Sequence, residues 1–203
     1  MPLVRVYIVR HGETEENRNS IIQGHLDTRL NADGLEQARR VGKALQAVPF
    51  DLAFSSDLTR AAKLQTTREL RERFLGELQG LTYSARQKAA GQSSVEPAEK
   101  MTARALGWWD ETIVKHAAAA GGDSALNVLT VSHGGLIGHL VRGLVETKRA
   151  VVAKGVFIGK CMNTAVAIVE VGRVGPGVVV QYGDITHLLA EGDMDLVQAN
   201  ADE

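Results

Sequence analysis

The chain has 203 residues, 44% of them hydrophobic and 23% charged, with a formal net charge of −1 at pH 7. This composition is typical of a globular chain with one sizeable core, so we expect a single domain over residues 1–203 that ends in a polar tail at 192–203. The small net charge and the lack of long basic or apolar runs argue against nucleic acid or a membrane as the main partner and make a cytoplasmic location the default expectation.

The first predicted element is a buried strand over Leu3–Val9, which leads directly into Arg10-His11-Gly12-Glu13-Thr14. Ligands of open α/β sheets bind outside the carboxyl ends of the strands. The guanidinium of Arg10 can bind phosphate oxygens through several donors, and the imidazole of His11 can attack phosphorus. Gly12 permits a sharp turn and the close approach of a ligand. The segment favours a phosphate site, with an ordinary loop histidine as the alternative.

A helix is predicted next. Asn31 or Asp33 begins it, since either side chain can cap the first free amide groups. The residues on its predicted apolar side are Leu35, Ala38, Val41, Leu45 and Val48. This spacing favours packing of one side of the helix on the sheet.

A short strand, Phe50–Phe54, then leads into Ser55-Ser56-Asp57-Leu58-Thr59-Arg60, and a polar helical pattern covers residues 57–66. On this interpretation Asp57 caps the helix. Arg60 then lies in the first turn, near the same sheet edge as the first motif. The alternative for Arg60 is a solvated surface side chain, which is the usual fate of arginine.

Residues 96–120 are predicted to form a longer helix. Its inward residues are Met101, Ala105, Trp108 and Ile113. The pair Trp108-Trp109 could stack on a ligand ring, but core packing is the interpretation we favour. The single cysteine, Cys161, cannot form an internal disulfide and is predicted to be a small packed residue.

A second strand with the character of the first, Asn127–Val131, leads into Ser132-His133-Gly134-Gly135. The helix that follows is predicted from the apolar residues Leu136, Ile137, Leu140, Val141, Leu144 and Val145. If the two strands are parallel neighbours, His11 and His133 meet at one sheet edge. The backbone amides at the start of this helix, near Gly134 and Gly135, would then point to where an anion binds.

The last elements are two strands, Thr164–Val171 and Val178–Tyr182, separated by the glycine- and proline-containing turn Gly172–Gly177. Such a turn is typical of a hairpin, which would give the sheet an antiparallel edge. The alternation of strands and helices predicts an α/β fold: a three-layer α/β/α sandwich with a mostly parallel central sheet and an antiparallel edge strand.

Four segments together resemble the histidine phosphatase superfamily, also called the phosphoglycerate mutase-like proteins. They are Arg10-His11-Gly12-Glu13-Thr14, Ser55-Ser56-Asp57-Leu58-Thr59-Arg60-Ala61, Leu70-Arg71-Glu72-Arg73 and Ser132-His133-Gly134. Their order and strand context match, so the resemblance covers most of residues 3–171. It implies the phosphoglycerate mutase-like fold.

The resemblance also implies a set of site residues. His11 would be phosphorylated in each cycle, Glu72 would donate a proton, and His133 would complete the catalytic set. The residues implied for phosphate or substrate binding are Arg10, Asn17, Gln23, Gly24, Arg60 and Gly134. Of these, Asn17 matches a family asparagine that touches the phosphate, and Gln23-Gly24 matches a segment lining the substrate entrance.

The chemistry gives independent reasons for this set. Phosphoryl transfer spreads negative charge over three oxygens, which a protein without metal must meet with cationic groups and preorganised donors. Neighbouring cations lower the pKa of the attacking imidazole and favour its neutral form. One carboxyl group can protonate the leaving alkoxide and later deprotonate water. No His, Cys or Asp group has metal-ligand spacing, and no glycine-rich nucleotide loop occurs, so we predict no metal and no nucleotide cofactor.

Glu72 has rivals for the acid, and most glutamates are solvated surface residues. The rivals are Glu13, Glu69, Glu77 and Glu96. Glu72 is favoured by its matching Leu-Arg-Glu-Arg context and by the segment Gly76–Gly80 behind it. Among the other histidines, His25 is predicted to be a solvated loop residue, with substrate contact as the alternative. Structural or surface roles are assigned to His116, His139 and His187.

The chain departs from the family pattern between Arg60 and Leu70. Relatives usually continue the helix after the arginine and add a loop and a strand, whereas here only residues 61–69 are available. Either the protein has a true deletion, or the sequence omits a mobile stretch, and we favour the second interpretation.

The predicted reaction is hydrolysis, because the chain lacks residues that mutases of the family usually carry. Mutases of the family usually carry Arg-His-Tyr after the acid and a paired arginine further on, but Arg73-Phe74-Leu75 stands here and no adjacent arginine pair lies between Glu72 and His133. Two segments, Ile21-Ile22-Gln23-Gly24 and Leu70-Arg71-Glu72-Arg73, are similar to the branch related to fructose-2,6-bisphosphatase and TIGAR-type proteins. We therefore expect hydrolysis of a small phosphorylated metabolite, such as a sugar phosphate or a phosphoglycerate.

Two alternatives stay open. The first is a phosphoglycerate mutase, which would need 2,3-bisphosphoglycerate as cofactor. The second, less favoured because nucleophile, acid and cationic partners are all present, is a non-catalytic phosphate-binding scaffold. The substrate's identity and the oligomeric state are not predicted.

Overall fold

A mixed sheet of seven strands organises the part of the chain that the computed structural model describes, residues 3–62, 65–86, 94–119 and 125–189. The strands are β1 (Val4–Arg10), β2 (Leu52–Ser56), β3 (Gln65–Thr67), β4 (Leu126–Ser132), β5 (Ala150–Val152), β6 (Val166–Val171) and β7 (Gly177–Asp184). The helices are α1 (Glu15–Arg18), α2 (Ala32–Leu45), α3 (Tyr83–Arg86), α4 (Ala98–Trp108), α5 (Lys115–Ala119), α6 (Gly134–Glu146) and α7 (Thr186–Leu189). None of the helices in these ranges is long and apolar enough to span a membrane.

The strand order is β3-β2-β4-β1-β6-β7-β5. All neighbouring pairs are parallel except those of β6, which runs antiparallel to both β1 and β7. The predicted fold class, a mostly parallel α/β sheet, is confirmed. The predicted place of the antiparallel strand is wrong, because the three-residue strand β5 pairs beyond β7 and forms the edge. So short a strand leaves no clear periodic pattern in the sequence.

Helices cover both faces of the sheet. On β1, Val4, Val6 and Ile8 face the core formed with α4 and α6, while Tyr7 and Val9 face the side of Val41 in α2. A strand buried on both faces needs apolar residues at nearly every position, which explains why only Arg5 interrupts the apolar run over Leu3–Val9. The three predicted layers are therefore present.

Helix α2 is capped by Asn31, whose Oδ1 accepts a hydrogen bond from the Gly34 amide at 2.8 Å. Its buried residues are Gly34, Gln37 and Val41. Leu35, predicted on the apolar side, is 60% exposed. That expectation was wrong because the buried stripe is centred one residue earlier at the start of the helix.

The predicted helix over 96–120 is α4 and α5 joined by a π-helical stretch, Trp109–Val114. All four residues predicted to face inward are buried, and so is Trp109. Core packing of the tryptophan pair is thus confirmed. Cys161 is also buried and forms no disulfide.

The predicted helix over 57–66 is absent from the described residues. A turn follows β2, residues 63–64 lie outside the described ranges, and β3 begins at Gln65. Asp57 does not cap a helix but pairs with Arg71 at 2.6 Å. Residues 57–64 connect two parallel neighbours and are too few for the usual crossover helix. That a stretch of the chain is omitted between Arg60 and Leu70 stays a prediction. The predicted polar tail at 192–203 lies outside the described residues.

The turn after β1 packs directly on the first turn of α2. A Cβ atom on Gly34 would lie 2.0 Å from the carbonyl oxygen of Glu13, and one on Gly12 would lie 2.3 Å from the carbonyl oxygen of Gly34. Two backbones can approach this closely only where side chains are missing. The contact fixes where the chain goes after His11.

Substitution of Gly34 by alanine is expected to destabilise the protein by about 1–3 kcal/mol, because the two backbones must move apart. The matched control is Gly42→Ala in the same helix, where no atom lies within 4 Å of the added Cβ. This change should stabilise by roughly 0.5–1 kcal/mol. Urea unfolding followed by circular dichroism measures both, and equal shifts in the two variants would contradict the close contact.

Candidate active site

The carboxyl ends of β1, β2 and β4 meet beside a cleft of about 380 Å³. The predicted site residues that line it are Arg10, His11, Asn17, Gln23, Gly24, Arg60, Glu72 and Gly134. The remaining one, His133, lies directly against His11, with ring centroids 5.1 Å apart. The structure therefore brings together all nine residues, which come from six separate stretches of the chain.

The ring of His11 is buried and has a defined tautomer. Its Nδ1 lies 2.7 Å from the carbonyl oxygen of Gly12, which can only accept, so Nδ1 carries the hydrogen. Burial lowers the pKa of His11 well below its ordinary value, and the charges of Arg60 and Arg10 lower it further. The neutral imidazole is thus favoured, with its lone pair on Nε2.

His133, the residue before α6, is buried and bound through Nε2 to the hydroxyl of Ser56 at 2.8 Å. Ser56 Oγ also accepts from the Leu58 amide, so its own proton can be donated to Nε2. Burial lowers the pKa of His133 well below its ordinary value. The neutral ring then carries its hydrogen on Nδ1, which has no hydrogen-bond partner among the described residues although it is buried. An unsatisfied buried donor is costly unless a ligand completes it.

Two buried guanidinium groups stand beside these rings. Arg60 donates from Nη1 to the Leu26 carbonyl at 2.7 Å and from Nη2 to the Gly24 carbonyl at 2.9 Å, which leaves its buried Nε without a partner in the described ranges. Burial lowers the pKa of Arg60 to about 10, so it stays charged at neutral pH. Arg10 donates from Nη1 to the Cys161 carbonyl at 2.9 Å.

Two amide side chains, Asn17 and Gln23, also line the cleft. Asn17 Oδ1 accepts from the Thr14 amide at 3.2 Å and from Asn163 Nδ2 at 3.3 Å. Gln23 Oε1 accepts from the Thr28 hydroxyl at 2.6 Å. Because both oxygens are bound inside the protein, the NH₂ groups lie on the opposite branch of each amide. This end of the cleft is lined by cations and hydrogen-bond donors, which suits a tetrahedral anion.

Glu72 brings one carboxylate to this cleft. Its Oε1 accepts from the Arg73 amide at 2.8 Å, and its Oε2 accepts from the Gly135 amide at 2.9 Å. The Gly135 amide was expected to face an anionic ligand, and that expectation was wrong because Glu72 takes it. A carboxyl group held at both oxygens is fixed in place at the entrance of the cationic pocket.

The rival glutamates have other partners, and none of them lines the cleft. Glu13 is buried and bound by Arg18 and Asn31. Glu96 binds Arg104. Glu69 accepts from Thr67, and Glu77 accepts from Ser94.

The segment of Glu72 is held by Arg104, which sequence reasoning missed, and by His25, for which another role was predicted. Arg104 donates to the carbonyl oxygens of Glu69 at 2.6 Å, Arg71 at 3.0 Å and Glu72 at 3.3 Å. His25 Nε2 binds the Glu72 carbonyl at 2.8 Å, so its predicted role as a solvated loop residue was wrong. No local signal could find these contacts, since Arg104 is 32 positions away from Glu72 along the chain.

The outer part of the cleft holds further basic side chains that sequence reasoning did not assign. They are Arg73, Arg86, Arg142 and Lys160. His139, predicted to be structural, also lines the cleft while its Nδ1 contacts the Thr102 hydroxyl at 3.0 Å. Within the described ranges, no group of three or more His, Cys, Asp or Glu side chains is arranged to hold a metal ion.

Comparison with known proteins identifies the class. The profile of the histidine phosphatase superfamily (branch 1) matches residues 6–184, and the chain belongs to this family. A broad-specificity phosphatase of Saccharomyces cerevisiae is 30% identical over 215 residues, covering 94% of this chain and 90% of the yeast protein. The fructose-2,6-bisphosphatase TIGAR of Mus musculus is 38% identical over 112 residues, covering 45% of this chain and 42% of the mouse protein.

Among solved structures, the phosphoglycerate mutase from Bacillus anthracis superposes with a TM-score of 0.71 at 24% identity, covering 91% of this chain and 95% of that one. This likeness confirms the phosphoglycerate mutase-like fold. The resemblance stated from the four sequence segments is confirmed as well.

Gly135→Ala is expected to displace the acid without dismantling the cationic pocket, because the new Cβ would lie 2.5 Å from Glu72 Oε1. A displacement of this kind should lower kcat/KM for an aryl phosphate by about 100-fold. Inhibition by inorganic phosphate should be largely retained. The control is Gly107→Ala, where nothing lies within 4 Å of the added Cβ. Full activity in the Gly135 variant would refute the contact.

The two buried histidines are expected to make stability fall at acid pH. Their pKa values are lowered in the folded state, so the unfolded chain binds protons first, and stability is lost as pH falls below about 6.5. Each neutral histidine contributes a slope of about 1.4 kcal/mol per pH unit. Urea unfolding from pH 7 to about pH 5 should therefore show a shallower slope for His133→Gln than for the natural chain. Identical slopes would contradict this assignment.

Proposed function

We propose that this protein is a metal-independent phosphatase that hydrolyses a small phosphorylated metabolite through a phosphohistidine on His11. One observation carries the proposal: a neutral imidazole, with its lone pair on Nε2, is buried between two guanidinium groups at a cleft that also holds a fixed carboxyl group. The similarity to a broad-specificity phosphatase of yeast supports hydrolysis as the reaction.

In the first step, His11 Nε2 attacks the phosphorus atom in line with the ester oxygen. The N–P bond forms as the ester P–O bond breaks, and the protonated carboxyl group of Glu72 gives its proton to the leaving alkoxide. In the second step, the Glu72 carboxylate takes a proton from water. The water oxygen attacks phosphorus, the N–P bond breaks, and inorganic phosphate and neutral His11 result.

The surrounding donors stabilise the negative charge that develops on the three equatorial oxygens. We assign this role to Arg10, Arg60 and His133 Nδ1, with the amide of Asn17 as a further donor. The two guanidinium groups and the imidazole are buried, and all four groups are already held by backbone or side-chain contacts, so little reorganisation is needed during the reaction. They supply the charge that a metal ion supplies in other phosphatases, and we infer that no metal is required. A cytoplasmic location stays a prediction.

A mutase is the second candidate, and one observation favours it. The cleft carries four basic residues beyond the phosphate pocket, and a mutase needs such groups to retain a doubly phosphorylated intermediate. That activity would require 2,3-bisphosphoglycerate as cofactor. Hydrolysis is preferred because water needs only the acid–base carboxyl group already present.

Hydrolysis of p-nitrophenyl phosphate in the presence of EDTA distinguishes an enzyme from a non-catalytic scaffold. The natural chain should release nitrophenol, and His11→Ala should reduce release to the background rate. Glu72→Gln should lower kcat by about 10²–10⁴-fold while leaving phosphate binding largely intact. The control is His116→Ala, a helical histidine outside the cleft, which should keep full activity. Phosphate binding without any turnover would indicate the scaffold.

Incubation of the protein with 3-phosphoglycerate and a trace of 2,3-bisphosphoglycerate distinguishes phosphatase activity from mutase activity. Phosphate release should exceed the formation of 2-phosphoglycerate. The opposite ratio would replace the phosphatase assignment by the mutase.

A further inference from the structure

Three glycines on the cleft side of α6 leave room for three charged side chains. The glycines are Gly134, Gly135 and Gly138. A Cβ on Gly134 would lie 3.3 Å from the side chain of Arg10, and one on Gly135 would lie 2.5 Å from that of Glu72. A Cβ on Gly138 would lie 2.9 Å from the side chain of Arg142. The first two side chains belong to the proposed reaction. The third has no role in it.

Arg142 turns back along its own helix. Its Cα lies one turn after Gly138, yet its Nη2 would be 2.9 Å from a Cβ on that glycine. The guanidinium therefore lies toward the amino end of α6 and lines the cleft. Among the described residues, neither a carboxylate nor a carbonyl group binds it, whereas Arg60 and Arg104 are both held by such groups.

Tyr182 provides a second, independent observation beside this guanidinium. It lines the same cleft, and its Oη is buried with no hydrogen-bond partner in the described part of the chain. Burial raises the pKa of Tyr182, while the nearby charge of Arg142 acts in the opposite direction. The hydroxyl keeps its proton and is a donor. An unsatisfied donor and an unpaired guanidinium that line the same cleft form an arrangement that binds an anionic oxygen.

We propose that Arg142 and Tyr182 form a second anion subsite, which selects phosphomonoesters carrying a further negative group on a short carbon chain. The inference rests on the proposed function, since it assigns the substrate class of the same cleft. The guanidinium of Arg10 lies against Gly134 and that of Arg142 against Gly138, so four residues at 1.5 Å each separate the two sites by about 6 Å along the helix. A short carbon chain bridges that separation.

The test uses two substrates that differ in one group. 3-Phosphoglycerate carries a carboxylate where glycerol 3-phosphate carries a hydroxymethyl group. For the natural chain we expect a higher kcat/KM on 3-phosphoglycerate, mainly through a lower KM. Arg142→Ala should reduce the ratio of the two kcat/KM values by about tenfold or more. A second pair, fructose 1,6-bisphosphate and fructose 6-phosphate, tests a phosphate group in place of the carboxylate.

Two further variants separate the role of Arg142 from a general effect on the fold. Gly138→Ala adds a Cβ beneath the guanidinium and should shift the ratio in the same direction, although alanine favours the helix. The charge control is Arg173→Ala, since this exposed residue follows β6 at the end of the sheet opposite Arg10. It should leave both ratios unchanged.

The outcomes distinguish the two levels of inference. If the natural chain hydrolyses neither p-nitrophenyl phosphate nor any of the four compounds, the proposed function fails. If it hydrolyses p-nitrophenyl phosphate but none of the four compounds, or if it hydrolyses the four compounds and Arg142→Ala leaves both ratios as they were, only the second subsite is refuted. A fall in either ratio, with Arg173→Ala unaffected, supports the subsite and identifies the preferred group as carboxylate or phosphate.

Discussion

The site depends on the parallel pairing of β1 with β4. The register sets Arg10 opposite Ser132, and the ladder continues for one more bond, from the His11 amide to the Ser132 carbonyl at 3.0 Å. Two residues 122 positions apart, His11 and His133, are thereby fixed side by side. A shift of one residue in this register would turn every side chain of β1 to the other face of the sheet. Apolar burial on both faces and the positions of the two imidazoles are therefore set by the same hydrogen bonds.

The buried groups of the site lower the stability of the folded protein when no ligand is bound. Two guanidinium groups are buried near each other, and burial keeps two imidazoles neutral. Isolated buried charge and unsatisfied buried donors both oppose folding, so the surrounding backbone must hold them in place. Carbonyl oxygens do much of this, as at Arg60, whose two Nη atoms each meet one. An anion that binds only the folded state would offset the remaining cost and add about 2.7 kcal/mol of stability at 100 times its Kd.

Much of the fold and most of the candidate site could be predicted from the sequence, for a physical reason. Strand ends are marked by local patterns, so an apolar run followed by a motif such as Arg10-His11-Gly12 locates a side chain at a sheet edge. The segment of Arg60 shows the limit of this reasoning: its motif was identified, but its predicted helix is absent because residues 57–64 are too few for a crossover. The roles of Arg104 and His25 could not be predicted, because both residues act through hydrogen bonds to backbone that is distant along the chain. The position of β6 inside the sheet could not be predicted either, because the edge is formed by β5, a strand of three residues with no recognisable pattern.

Helix α6 divides its surface between two tasks. One side carries large residues that are completely buried, Leu136, Ile137, Leu140, Val141 and Leu144, and they attach the helix to the sheet. On the cleft side, Gly134, Gly135 and Gly138 leave bare backbone, on which charged side chains rest. This bare side accepts no larger residue without displacing one of those charges. A change of substrate that leaves the reacting groups in place therefore falls on the neighbouring loops and on Arg142, and not on these three glycines.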